Sequence, residues 1–278
     1  MERPEIFIPD QADLKAKDLP RFEQFLRNRL NRETYVGLHL TVSLIVAGLA
    51  IWLSGALLDA VLDNATVVRL DIAAANWIHS RAEPTGLSVS EIISEIGSPT
   101  TMGVIAVIGG AILLTRGRLT MLFTWIAVFA GGGLLEKLLK TVVHRTRPAF
   151  TPTPPVEESL SFPSGHTMMC AIGMGMLVYM LTVPRHMPRP WRGILIGLAV
   201  SLVLAVGISR VYLGAHYPSD VLGGLAFGTA WVSVCVAVAG LSSSLLIVPR
   251  PLKGSKAFDV TGIFNEAFHS QLNHRAEP

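Results

Sequence analysis

Six apolar segments, each long enough or nearly long enough to cross a bilayer, leave this chain of 278 residues few choices of fold. A span needs about 20 predominantly apolar residues, and its backbone polar groups must be paired within the segment because hydrocarbon offers no partner. Residues 36–58, 101–115, 119–139, 167–183, 193–208 and 221–248 meet or approach that length. Only 15% of the residues are charged and half are hydrophobic, a balance that a water-soluble domain of this size rarely shows. The expectation is an all-α, polytopic membrane protein built as a six-helix bundle. The second and fifth segments are short, and the sixth, with 28 residues, must tilt or continue past the bilayer.

Basic residues orient the bundle, because cytoplasmic loops hold the excess of Lys and Arg. With the amino terminus inside, residues 1–35, 116–118, 184–192 and 249–278 carry sixteen, against six in the opposite segments: Arg69, Arg81, Lys140, Arg145, Arg147 and Arg210. Both termini are therefore expected in the cytoplasm. Residues 36–248 form the membrane domain, between a cytoplasmic segment at 1–35 and a cytoplasmic tail at 249–278. The first segment holds seven basic and seven acidic side chains ahead of the apolar run, which is not the layout of a signal peptide. Phe22, Phe25 and Leu26 are spaced for a short surface helix, with a solvated tail as the equal alternative. Residues 59–100 read as the longest outer loop, with helical spacing at 67–78 and interfacial helices expected there. Cys170 and Cys235 fall within apolar segments and read as small hydrophobes.

Three polar clusters stand at segment ends that counting places on one outer face. In the first, Lys140 and Arg147 are seven residues apart, about two helical turns, so they would share a face if the helix persisted to Pro148. Arg makes planar, bidentate contacts to phosphate oxygens and Lys supplies a point charge. His144 and Arg145 between them read as facing solvent, and Glu136 and Lys137 as forming a pair with each other or with Lys140. The second cluster is Pro163-Ser164-Gly165-His166, where a loop enters the fourth segment. A helix amino terminus offers free N–H groups and a positive dipole end; Ser164 can cap it, and Gly165 lets the backbone approach an anion. An imidazole just inside an apolar span implies function, and His166 reads as a general acid. In the third cluster Ser209 and Arg210 close the fifth segment, His216 lies in a short loop and Asp220 opens the sixth. The four-residue step lets Asp220 accept one ring N–H of His216 and leave the other nitrogen as a nucleophile. Singly, each residue has a plain alternative as a snorkelling cation, a helix cap or an interfacial residue; jointly, they form a phosphate site.

The pattern Lys140, six residues, Arg147-Pro148, then Pro163-Ser164-Gly165-His166, then Ser209-Arg210, five residues, His216, three residues, Asp220 resembles the three-part signature of the type 2 phosphatidic acid phosphatase superfamily. The resemblance implies that His216 attacks phosphorus to give a phosphohistidine, that His166 protonates the departing oxygen, and that Asp220 orients His216. It also implies that Lys140, Arg147, Ser164, Gly165 and Arg210 hold the phosphate. No cofactor is expected, since three cations take the place of a metal; nor is a nucleic acid. The substrate expected is the terminal phosphate of a membrane lipid, with undecaprenyl diphosphate in a bacterial inner membrane favoured over phosphatidate and phosphatidylglycerol phosphate. A soluble sugar phosphate, a transporter and a vanadate-dependent haloperoxidase are the competing readings. A transporter would place charge at mid-membrane, and haloperoxidases of this signature are soluble.

Overall fold

The computed structural model describes residues 35–63, 65–148, 150, 160–182 and 187–245. The expected surface helix around Phe22 and the whole carboxy-terminal tail, 249–278, lie outside these residues. Two compact units divide the chain at Ser242, and the bundle and site belong to the first. Among the described residues all regular structure is helical: α1 Tyr35–Asp63, α2 Ala65–His79, α3 Pro84–Ile96, α4 Pro99–Thr115, α5 Leu119–Val143, α6 Gly165–Thr182, α7 Arg189–Tyr212 and α8 Pro218–Leu245. Among the described residues six stretches are long and apolar enough to cross a membrane, as the sequence predicts.

The second span is where expectation and structure part. It runs over Pro84–Thr115 rather than beginning at residue 101, and it consists of two helices. Ser90 and Ser94 of α3 are buried in the bundle, so polar residues that read as loop belong to a packed helix. The break falls where α3 stops at Gly97 and Ser98 caps α4 by accepting the Thr101 N–H. Pro99 at the first helical position has no N–H to lose there. The stretch 59–100, expected as one outer loop, holds the end of α1, the helix α2, all of α3 and the first residues of α4, so the part outside the spans is shorter than expected. Other ends move by a few residues; α5 continues to Val143 and α7 starts at Arg189 and ends at Tyr212, which brings Ser209 and Arg210 inside the last turn.

Helix α6 is the hub, packing against α4, α5 and α7. Its Met168, Ile172 and Met176 are fully buried in a core with Met102, Trp125, Val128 and Phe129, which fits the gap-filling role of methionine. Small residues bring α8 against it. A Cβ on Gly224 would strike the Ser164 carbonyl, and one on Gly228 the Met168 carbonyl. The indole N–H of Trp125 donates to the Ala106 carbonyl at 2.8 Å and that of Trp231 to the Val128 carbonyl at 3.0 Å, so both large rings bury without an orphaned donor. Cys170 and Cys235 are free thiols.

Candidate active site

Four helix ends build the site: the carboxy-terminal ends of α5 and α7 and the amino-terminal ends of α6 and α8. Helix α5 does not persist to Arg147. It ends at Val143, and His144 takes a left-handed conformation (φ 49°), its N–H returning to the Lys140 carbonyl. The chain turns at that point, so Lys140 and Arg147 converge through a reversal and not along one helix face. Lys140 pairs with Glu136 at 2.8 Å, one of the two pairings expected.

The loop leading to α6 is locked from both sides. The Ser161 N–H donates to the Arg145 carbonyl at 2.7 Å and the Ser164 N–H to the Asp220 carbonyl at 2.9 Å, which ties the second cluster to the third. Ser161, Phe162, Ser164 and Asp220 have no exposed surface. Gly165 begins α6 against the Glu136 carboxylate, which a Cβ there would displace. The Thr167 hydroxyl donates to Ser164 Oγ at 3.1 Å, which leaves the Ser164 proton for an acceptor elsewhere. Half-buried His166 lies within electrostatic reach of Arg210, His216, Arg147 and Lys140.

On the α7 side, Gly214 (φ +68°) permits the turn that follows Leu213, and the N–H groups of Ala215 and His216 return to the Arg210 carbonyl at 3.0 and 3.3 Å. That turn carries His216, which is 1% exposed. Arg210 donates from Nη1 to Ser94 Oγ at 2.8 Å, while its buried Nε has no hydrogen-bond partner. A guanidinium held at one edge with a further donor aimed inward suits an oxyanion. Arg147, half-buried, is placed to interact with Asp220, Glu136 and Arg210.

The His216–Asp220 relation differs from the direct hydrogen bond expected. His216 Nδ1 lies 3.6 Å from Asp220 Oδ2, and Ser161 stands beside both. Its hydroxyl donates to Asp220 Oδ2 at 2.5 Å, and its oxygen lies 3.4 Å from His216 Nδ1. With the serine proton committed to the carboxylate, Ser161 Oγ is left to accept the ring N–H, which holds the proton on Nδ1 and leaves Nε2 bare. Burial pushes the His216 imidazole down to about 4; Asp220 opposes that shift, and Arg147 and Arg210 add to it. The ring is therefore neutral at ordinary pH, the form a nitrogen nucleophile requires.

Arg145 is the second correction. It does not face solvent: its side chain is 10% exposed, with Nη1 2.7 Å from Asp220 Oδ1 and Nη2 2.7 Å from Asp71 Oδ2. Nη1 also donates to Ser219 Oγ at 2.7 Å, and the guanidinium lies over the Tyr217 ring, 4.3 Å from its centre. Asp71, on α2, accepts the Ser219 N–H at 3.0 Å and the Ser219 hydroxyl, so it caps the start of α8. Ser161, Asp71 and Ser219 were given no role by the sequence, and Arg145 reads there as facing solvent. One signal could have found Asp71: an isolated carboxylate within the apolar helical pattern of residues 67–78 needs a partner. Among the described residues no group of three or more His, Cys, Asp or Glu side chains could hold a metal ion.

Residues 100–242 match the PAP2 superfamily, and the chain belongs to that family. It is 42% identical over 103 residues to phosphatidylglycerophosphatase B of Bacillus subtilis, an alignment covering 36% of this chain and 49% of the relative. It is 38% identical over 139 residues to lipid A 1-phosphatase of Rhizobium etli, covering 47% and 53%. The chain thus spans about half the length of these curated relatives. Its fold is similar to the crystal structure of a transmembrane PAP2-type phosphatidylglycerolphosphate phosphatase from Bacillus subtilis, with a TM-score of 0.60 at 28% identity over 74% of this chain and 98% of that one. The match supports a multi-pass membrane protein.

Proposed function

We propose that this protein is a membrane phosphatase that removes the terminal phosphate of a lipid phosphate or diphosphate through a phosphohistidine on His216. The observation that carries the reading is a buried imidazole, its Nδ1 side facing Ser161 and Asp220, at a helix-end cluster that also holds Lys140, Arg147 and Arg210. A phosphate monoester carries roughly −1.5 to −2 charge at neutral pH, and its transition state spreads charge over the equatorial oxygens. The three cations, the Ser164 hydroxyl and the Gly165 N–H receive those oxygens. A bound dianion also offsets the cations around His166 and so lets that ring carry a proton.

His216 Nε2 attacks phosphorus, the bond to the lipid oxygen breaks, and His166 gives its proton to the leaving oxygen. Water then attacks the phosphohistidine, the neutral His166 takes a proton from that water, and inorganic phosphate leaves as His216 is restored. Asp220 stabilises the positive charge on the His216 ring in both steps. No step calls for a metal ion. The names of both relatives, a phosphatidylglycerophosphatase and a lipid A phosphatase, favour a lipid over a sugar phosphate, as does the setting of the site at the end of an apolar bundle.

Phosphate release from phosphatidate, phosphatidylglycerol phosphate, undecaprenyl diphosphate and glucose 6-phosphate, measured on purified protein in detergent with and without EDTA, tests the reading. Turnover of at least one lipid that EDTA leaves intact is expected. Turnover of glucose 6-phosphate alone would sink the lipid assignment, and loss of activity on chelation the metal-free mechanism. The outward-facing orientation has its own test. In a variant lacking Cys170 and Cys235, Thr146→Cys at an exposed position is labelled by an impermeant maleimide added to intact cells or spheroplasts; protection would reverse the topology.

A further inference from the structure

The buried charges next to the site are arranged as a chain that runs from the signature residue Asp220 to two residues outside the signature. Asp71 on α2, Arg145 on the loop after α5, and Asp220 on α8 form one line in which two carboxylates share a guanidinium, each at 2.7 Å. Asp220 is held by four contacts: Arg145 at Oδ1, and Ser161, the Tyr217 N–H at 2.8 Å and His216 at Oδ2. Arg145 also fixes Ser161 through its own carbonyl. Breaking one member of such a buried set leaves an uncompensated charge, and a network of this kind sets geometry as well as stability.

We propose that Arg145 and Asp71 are positioning residues, a clamp that sets the Asp220 carboxylate and, through Ser161, the His216 ring, making α2 part of the catalytic unit. The proposal rests on the nucleophile assignment above. It has a consequence that a mere fold brace lacks. The groups facing His216 are Asp220 from α8, Ser161 and Arg147 from the loop between α5 and α6, Arg210 from α7 and His166 from α6; Arg145 and Asp71 act on this set from behind. Removing the Arg145 cation makes His216 easier to protonate, and removing the Asp71 anion makes it harder.

The test measures kcat, KM and the pH dependence of kcat/KM for Arg145→Gln, Arg145→Lys, Asp71→Asn and Ser161→Ala. Phosphatidate in detergent micelles is the probe, and rates are normalised to folded protein from size-exclusion chromatography. Arg145→Gln is expected to lower kcat about 10- to 100-fold, the usual cost of losing a group that orients a reacting one, with KM changed less than about twofold and Arg145→Lys recovering part of the loss. The acid limb moves up in Arg145→Gln and down in Asp71→Asn; the substrate's own ionisation is common to all variants and cancels. Wild-type kcat per folded molecule with an unmoved limb in both variants would overturn the clamp. If Arg145→Gln does not fold, the Asp71→Asn limb and the kcat of Ser161→Ala decide alone. His216→Ala runs in the same series: activity surviving there defeats the nucleophile assignment, whereas an inactive His216→Ala beside unaffected clamp variants defeats only this proposal.

Discussion

Helices α1 and α6 are both membrane spans, and they are opposites. Helix α6 is the least apolar of the six spans and the most enclosed, with 56% of its apolar window buried in the protein, whereas the more apolar α1 has 17% buried. Leu44, Ile45, Leu49, Ile51 and Trp52 of α1 are exposed on the bundle surface. In a bilayer the lipid tails are as apolar as leucine, so no hydrophobic force draws such a face inward. Between these two helices the more apolar one keeps an open face, and the less apolar one, rich in glycine and methionine, packs inside beside the candidate site. The polar ends of α6 and α8 hold His166 and Asp220 because neighbouring helices, not lipid, surround them.

Substitutions can break or sharpen that contrast. The largest effect is expected from His216→Ala at the enclosed end, a loss of about four to six orders of magnitude in kcat with little change in the amount of folded protein; activity near wild type would remove the chemistry from this end altogether. Arg210→Ala comes next. A single donor aimed at developing charge is worth about 2.7–4 kcal/mol, or roughly 10²–10³ in kcat, and steady-state phosphate release reads the loss directly.

Core packing gives the third comparison. Ile172→Ala on α6, a fully buried position, should cost about 2–5 kcal/mol, whereas Leu49→Ala on α1 should stay within about 0.5 kcal/mol. Thermal unfolding in one detergent distinguishes them, and equal costs would mean that the exposed face of α1 meets protein rather than lipid.

Acid supplies the mildest probe. The His216 pKa is lowered by folding to about 4 from an ordinary value near 6.5, so below neutrality the unfolded chain binds the proton and the folded protein does not. Stability then rises with pH, and this contribution declines as pH falls from about 6.5 to about 4. The variant His216→Gln should flatten the dependence of the unfolding midpoint on pH across that window; an unchanged slope would mean that the ring is not held neutral.

The six spans were legible because hydropathy over some 20 residues is a property of composition, which needs no knowledge of contacts. Signature spacing made the candidate site residues legible for the same reason: Lys140, Arg147, His166, Arg210, His216 and Asp220 sit at segment ends that alternation alone brings to one side. What the sequence concealed depends on contact. Ser90 and Ser94 read as loop because their polarity outweighs local pattern, yet Arg210 on α7 gives Ser94 a partner. Arg145 read as solvent-facing because an arginine between two turns usually is; its two carboxylate partners stand 74 and 75 residues away, beyond any local window. The same holds for Ser161, whose position between His216 and Asp220 converts an expected direct hydrogen bond into a three-residue contact.

The account turns on one covalent bond, between phosphorus and His216. Protein mixed with a terminally ³²P-labelled lipid phosphate, quenched in base within milliseconds and digested, should yield a base-stable, acid-labile label on the peptide containing His216, and none in His216→Ala. Label at His166 or elsewhere, or steady turnover by His216→Ala, would contradict it.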